Sequence, residues 1–119
     1  MSQYAPHLLL HTDHRPSQAG MLLRNAGYLV STFGDDDPSS LNADDPDVDG
    51  LVVDVRALGA IAVVRKITAR SRPGVVVLVI TQAPDAMRLA LPSIRVIKSS
   101  DVGDDLISTI DLALASHQR

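Results

Sequence analysis

The chain has 119 residues, no cysteine and a formal net charge of −3 at pH 7. Its hydrophobic content of 45% is enough for the core of one domain, and the length leaves no room for a second. Without cysteine there is no disulfide, thiolate nucleophile or cysteine-based zinc site. No apolar run approaches the roughly 18 residues of a membrane span, so we expect a cytoplasmic protein without membrane contact. Aromatic residues make up only 3%, which disfavours stacking on nucleic acid bases.

Half of the acidic residues lie in one short segment. Seven of the 14 acids fall between Asp35 and Asp49, so the rest of the chain is mildly basic. Such a run is typical of a solvated loop, and its spacing does not match a calcium-binding loop. We therefore expect the segment from Gly34 to Asp49 to be a loop with at most one helical turn.

Five apolar stretches predict β-strands. A continuous Val/Leu run without polar alternation favours a strand that is covered on both faces, as in a parallel sheet. The predicted strands are Leu8 to Leu10, Tyr28 to Phe33, Gly50 to Asp54, Val75 to Ile80 and Ile94 to Ile97. We expect Leu23 and Val77 to lie in the core.

Helical patterns separate most of these strands. The predicted helices run from Pro16 or Ser17 to Ala26, from Ala57 to Arg70, from Pro84 to Leu91, and onward from a cap at Ser99 or Ser100. The alternation predicts an α/β fold with a doubly wound five-stranded parallel sheet. In this fold the second crossover helix is reduced to the acidic loop, and the fourth helix is short.

Four predicted strands run into a polar side chain at their exit. These side chains are Asp13, Asp54, Thr81 and Lys98. In an open parallel sheet the carboxyl ends of the strands share one edge, and ligands bind in the crevice there. The sequence therefore predicts a polar site at that edge.

The strand-end motifs carry a family resemblance that covers nearly the whole chain. Asp49-Gly50-Leu51-Val52-Val53-Asp54, Val79-Ile80-Thr81 and Val96-Ile97-Lys98 resemble the ends of the third, fourth and fifth strands of receiver domains of bacterial two-component response regulators. The resemblance implies the strand order 2-1-3-4-5. It also implies Asp54 as the phospho-acceptor, Thr81 and Lys98 beside it, and Mg²⁺ held weakly by Asp13 and Asp54. The implied partner is a histidine kinase or another signalling protein, with an output domain or a homodimer as further options.

The chemistry of such a pocket follows from charge. A carboxylate that accepts a phosphoryl group needs the added negative charge to be neutralised. Lys98 would pair with the phosphoryl oxygens, and Thr81 would donate a hydrogen bond to one of them.

Departures from the family pattern weaken this chemistry. The turn after the first strand, His11-Thr12-Asp13-His14, has one acid where the family has two adjacent acids. Val55-Arg56 replaces the usual Met-Pro pair, and Arg95 replaces the usual aromatic residue. We therefore expect an atypical receiver or pseudo-receiver, not an enzyme, that signals through protein contacts at the surface of the fourth and fifth strands and helices.

Other interpretations stay open. One is a functional receiver that a histidine kinase phosphorylates on Asp54. Another is a small flavodoxin-like ligand-binding or enzymatic module, although no glycine-rich phosphate loop follows the first strand. Asp54 is also typical of a turn, Thr81 of an ordinary strand residue, and Lys98 of a surface side chain.

Two further sites receive little support from the sequence. A zinc site at His7, His11 and His14 is disfavoured because His7 and His11 are four residues apart in a strand and not on a helix face. A nucleic acid patch at Arg88, Arg95 and Lys98 has few charges and no aromatic side chains.

Overall fold

A computed structural model describes residues 6–12, 18–33, 48–54, 60–70, 75–91 and 94–117. The strands in these ranges are β1 (His7–Thr12), β2 (Leu29–Phe33), β3 (Gly50–Asp54), β4 (Val76–Thr81) and β5 (Arg95–Lys98). The helices are α1 (Gln18–Asn25), α2 (Ala60–Arg70), α3 (Pro84–Ala90) and α4 (Val102–His117), the last preceded by a 3-10 turn at Ser99–Asp101.

The five strands form one sheet in the order β2-β1-β3-β4-β5. Every pairing is parallel. The predicted doubly wound α/β fold and its strand order are therefore confirmed, as is the short helix before β5, which has seven residues. The predicted loop in place of a second crossover helix falls on residues 34–47, outside the described part of the chain.

The core has two layers, one on each face of the sheet. Alternate strand residues point to opposite faces, so one strand supplies both layers. Leu8 and Leu10 of β1 join the layer that contains Leu23 of α1 and Leu106 of α4. Leu9 joins the opposite layer, which contains Val64 of α2 and Met87 of α3. This coverage of both faces explains the unbroken apolar runs of β3 and β4.

Helix α1 ends where the sequence predicts. Gly27 has a φ of 100°, a left-handed conformation that favours glycine. Its N–H donates to the Arg24 carbonyl at 3.0 Å, and the Tyr28 N–H donates to the Leu23 carbonyl at 3.1 Å. These two bonds form a Schellman motif, which satisfies the last carbonyls of the helix and turns the chain into β2.

Asp49 ties the beginning of β3 to the beginning of β1. Its carboxylate accepts a hydrogen bond from the His7 backbone N–H at 2.8 Å. In return, the Asp49 backbone N–H donates to the His7 carbonyl at 2.8 Å. The pair fixes the register of the two central strands, in which Leu8 lies opposite Gly50. Gly50 itself has little room for a side chain, since an added Cβ would lie 3.0 Å from Leu8 Cδ2.

Two sequence expectations need correction. Ser99 and Ser100, predicted to cap the final helix, lie in the 3-10 turn before α4, whose N-cap residue Lys98 makes no side-chain cap hydrogen bond. Val77 is half-buried and packs against the second core layer, whereas full burial was expected.

Within the described ranges, no helix combines the length and apolarity needed to cross a lipid bilayer.

Replacing Leu23 with alanine should lower the free energy of unfolding by about 2–4 kcal/mol, because the side chain is fully buried. Met21 of the same helix is 57% exposed, so Met21→Ala is the matched control and should cost far less. Chemical denaturation of both variants measures the difference. Equal losses would contradict the assigned faces of α1.

Asp49→Ala should lower the free energy of unfolding by about 1–3 kcal/mol, because the partly buried His7 N–H loses its acceptor. Asp49→Asn keeps an oxygen that accepts this bond and should retain more of the stability. Urea denaturation distinguishes the two variants. An alanine variant as stable as the asparagine variant would show that the bond contributes nothing.

Candidate functional site

Polar side chains end four neighbouring strands at one edge of the sheet, which we call the carboxyl rim. The rim residues described are Thr12 of β1, Asp54 of β3, Thr81 of β4 and Lys98 of β5. In the strand register Thr12 lies opposite Asp54, and Thr81 lies opposite Lys98. The predicted residue Asp13 lies outside the described ranges.

The register also sets the separations along the rim. Asp54 lies opposite Ile80, so Thr81 is one residue further along β4. With standard strand spacing, the Cα atoms of Asp54 and Thr81 are about 6 Å apart, and those of Asp54 and Lys98 about 10 Å apart. The first separation allows both side chains to contact one small anion, and the second requires the long lysine side chain to reach across β4.

The rim side chains leave the sheet from two different faces. Asp54 shares a face with its partners Thr12 and Ile80, while Thr81 and Lys98 share the opposite face. Their side chains can approach one another only beyond the strand ends. A ligand common to all of them would therefore sit on top of the rim.

Burial differs sharply between the anionic and cationic members of the rim. Asp54 and Thr81 are buried, with 4% and 7% of their surface exposed, whereas Lys98 is exposed. Burial of a carboxylate costs free energy unless hydrogen bonds or opposite charge compensate it. The Lys98 ammonium group is therefore more accessible to a ligand from solvent than the Asp54 carboxylate is.

Thr81 has a structural role at the start of α3. Its Oγ1 accepts a hydrogen bond from the Ala83 backbone N–H at 3.1 Å. Ala83 is the N-cap residue of α3, and Pro84 follows in the first turn, where its missing N–H costs nothing. Accepting this bond uses a lone pair of the hydroxyl and leaves its proton available for a ligand above the rim.

Lys98 sits directly before the 3-10 turn that leads into α4. Its backbone is extended, with φ −74° and ψ 140°, and helical geometry begins at the next residue. The exposed carboxylates of Asp101, Asp104 and Asp105 follow within the first turns. They stabilise the helix start and reduce the positive potential that its N–H groups would otherwise present.

The described part of the rim does not by itself fit a magnesium site. Mg²⁺ is usually held by carboxylates together with retained waters. Among the described residues, no group of three or more histidine, aspartate or glutamate side chains is placed to hold a metal ion. Asp54 is the one carboxylate among the four rim residues named above.

Zinc binding by two histidines of β1 is excluded by strand geometry. His7 and His11 are four residues apart on one strand, which separates their Cα atoms by about 13 Å. Zinc ligands lie about 2 Å from the metal, so the two imidazoles cannot share one ion within this strand.

Arg88, which the sequence offers only weakly as part of a basic surface patch, makes a structural contact. Its Nη2 donates to the Val96 backbone carbonyl at 3.2 Å, and its Nη1 pairs with Asp85 at 3.4 Å. The first contact links α3 to the edge strand β5 across eight residues. The spacing of residues in the sequence does not predict this contact between a side chain and a distant backbone carbonyl. Charged side chains placed along an edge strand are nevertheless typical of natural sheets.

Thr12 was also missed as a rim residue because the apolar run ends at Leu10. The strand continues through His11 and Thr12, both of which are buried. The signal that could have found Thr12 is the register, since it is the residue opposite Asp54.

No protein-family model matches the chain, and no curated protein matches it in sequence.

Thr81→Val should lower the free energy of unfolding by about 1 kcal/mol, because the Ala83 N–H loses its acceptor while the side-chain shape is nearly kept. Thr81→Ser retains the hydroxyl and is the matched control. Thermal and urea denaturation of both variants give the comparison. If valine is tolerated as well as serine, the hydroxyl does not hold the start of α3.

Proposed function

We propose that the chain is a receiver-like signalling domain, of the atypical or pseudo-receiver type, that acts in a two-component phosphorelay through protein contacts. The observation that carries the proposal is the joint placement of Asp54, Thr81 and Lys98 at the ends of three adjacent strands. A carboxylate, a hydroxyl and an ammonium group at one rim are the donor and acceptor types that a phosphoryl site uses.

The features of the same rim favour weak phosphoryl chemistry. Asp54 is buried, the Cα atom of Lys98 lies about 10 Å away along the rim, and the turn after the first strand has one acid, Asp13, where receiver domains have two. A phosphoryl group on Asp54 would lack the concentrated positive charge that stabilises its transfer. For this reason we favour the pseudo-receiver over the functional phospho-acceptor.

The proposed docking surface lies on α3 and the adjacent edge strand β5. Leu89 of α3 is 87% exposed, although the same helix buries Met87. Arg88 between them holds α3 to β5 through the Val96 carbonyl. An exposed leucine on a helix that is fixed to the sheet is a suitable contact for a signalling protein or an output domain.

Incubation with acetyl phosphate and magnesium, followed by intact mass measurement, tests the phosphoryl chemistry. The pseudo-receiver should show little or no phosphoryl adduct. A stoichiometric adduct that Asp54→Asn abolishes would overturn this version and establish the functional phospho-acceptor. Asp111→Asn is the matched control, since it makes the same change at an exposed residue of α4.

The same strand order occurs in flavodoxin-like modules that bind a ligand at the carboxyl ends of the strands. A thermal-shift screen with flavins and nucleotides separates that class from a receiver. A receiver-like domain should gain no stability from them. A rise in melting temperature that grows with ligand concentration would favour the ligand-binding module instead.

A further inference from the structure

A serine in the middle of β2 is hydrogen-bonded to a histidine at the end of β1 opposite the carboxyl rim. His7 Nε2 lies 2.8 Å from Ser31 Oγ, a hydrogen-bond distance between β1 and β2. Ser31 is exposed and His7 is half-buried. The pair is remote from Asp54, because His7 begins the strand whose other end is Thr12.

The backbone of His7 is held firmly in place. Its N–H donates to the Asp49 carboxylate and its carbonyl accepts from the Asp49 N–H, both at 2.8 Å. Its neighbour Leu8 is fully buried. A base whose attachment point is fixed keeps its distance to the serine, and such preorganisation is what general-base catalysis needs.

Ser31 lies on the edge strand of the sheet, beside backbone donors. The Leu29 N–H points inward and donates to the Pro6 carbonyl at 3.1 Å. In a parallel strand the direction alternates with each residue, so the N–H groups of Val30 and Thr32 point away from β1. The Thr32 N–H, directly after the serine, is therefore a backbone donor on the open side of the edge strand. Leu29, 58% exposed, adds an apolar contact on the same strand.

We propose that Ser31 is a nucleophile for small activated acyl esters, with His7 as its general base. In the tautomer that carries its proton on Nδ1, the imidazole accepts a hydrogen bond from the serine at Nε2. Ser31 Oγ forms a bond to the ester carbonyl carbon while its proton passes to Nε2. The bond from that carbon to the leaving oxygen then breaks, and the leaving oxygen takes the proton from the imidazolium. The product is an O-acyl serine and a free alcohol or phenol.

Ser108 provides an internal control in the same molecule. It is also exposed, but its hydroxyl donates to the Asp105 carbonyl at 3.1 Å and has no histidine as base. The two hydroxyls therefore have different partners, a histidine ring for Ser31 and a backbone carbonyl for Ser108. A general base accelerates such a transfer by about 100-fold or more.

The test is incubation of the full chain with p-nitrophenyl acetate, followed by peptide mapping of the acetylated residues over time. Ser31 should be acetylated on the order of 100-fold faster than Ser108, and His7→Gln should remove most of that advantage. Far-UV circular dichroism checks that the His7→Gln variant is folded.

Two results would overturn the proposal. One is equal acetylation of Ser31 and Ser108 in the unaltered chain, a comparison that requires no variant to fold. The other is an unchanged Ser31 rate in folded His7→Gln. Either result would assign the hydrogen bond to strand pairing alone.

Discussion

The parallel pairing of β1, β3 and β4 is the constraint on which the rest of the structure depends. It brings the ends of strands that are far apart in sequence to one rim, and it sends alternate side chains into two core layers. Asp49 and His7 fix the beginning of this pairing through two reciprocal hydrogen bonds. A slip of one residue would turn Asp54 to the opposite face and exchange the side chains of the two core layers, so packing and site geometry are specified together.

The fold could be predicted from the sequence because its signals are local and mutually consistent. Unbroken apolar runs indicate strands covered on both faces, and Gly27 marks the end of α1 through a backbone conformation that favours glycine. Pro84 likewise lies in the first turn of α3. Alternation of strands with helices then leaves few topologies, because parallel crossovers are right-handed.

Features that depend on contacts between distant segments could not be predicted in this way. The apolar pattern stops at Leu10, so the strand extension to Thr12 is visible only from its pairing with β3. The contact of Arg88 with the Val96 carbonyl and the bond between His7 and Ser31 depend on how elements pack. Val77 is half-buried although its sequence neighbours are core residues. For the candidate site, the sequence predicts three of the residues that end the strands, Asp54, Thr81 and Lys98, while the faces from which they leave follow only from the register.

The inter-strand register is the most direct test of this account, and nuclear Overhauser contacts between backbone protons measure it. The account predicts contacts that pair Asp54 with Ile80 and Thr81 with Lys98. Contacts shifted by one residue, such as Asp54 with Val79 or Thr81 with Ile97, would contradict it. In that case the three polar side chains would not share the arrangement on which the proposed function is based.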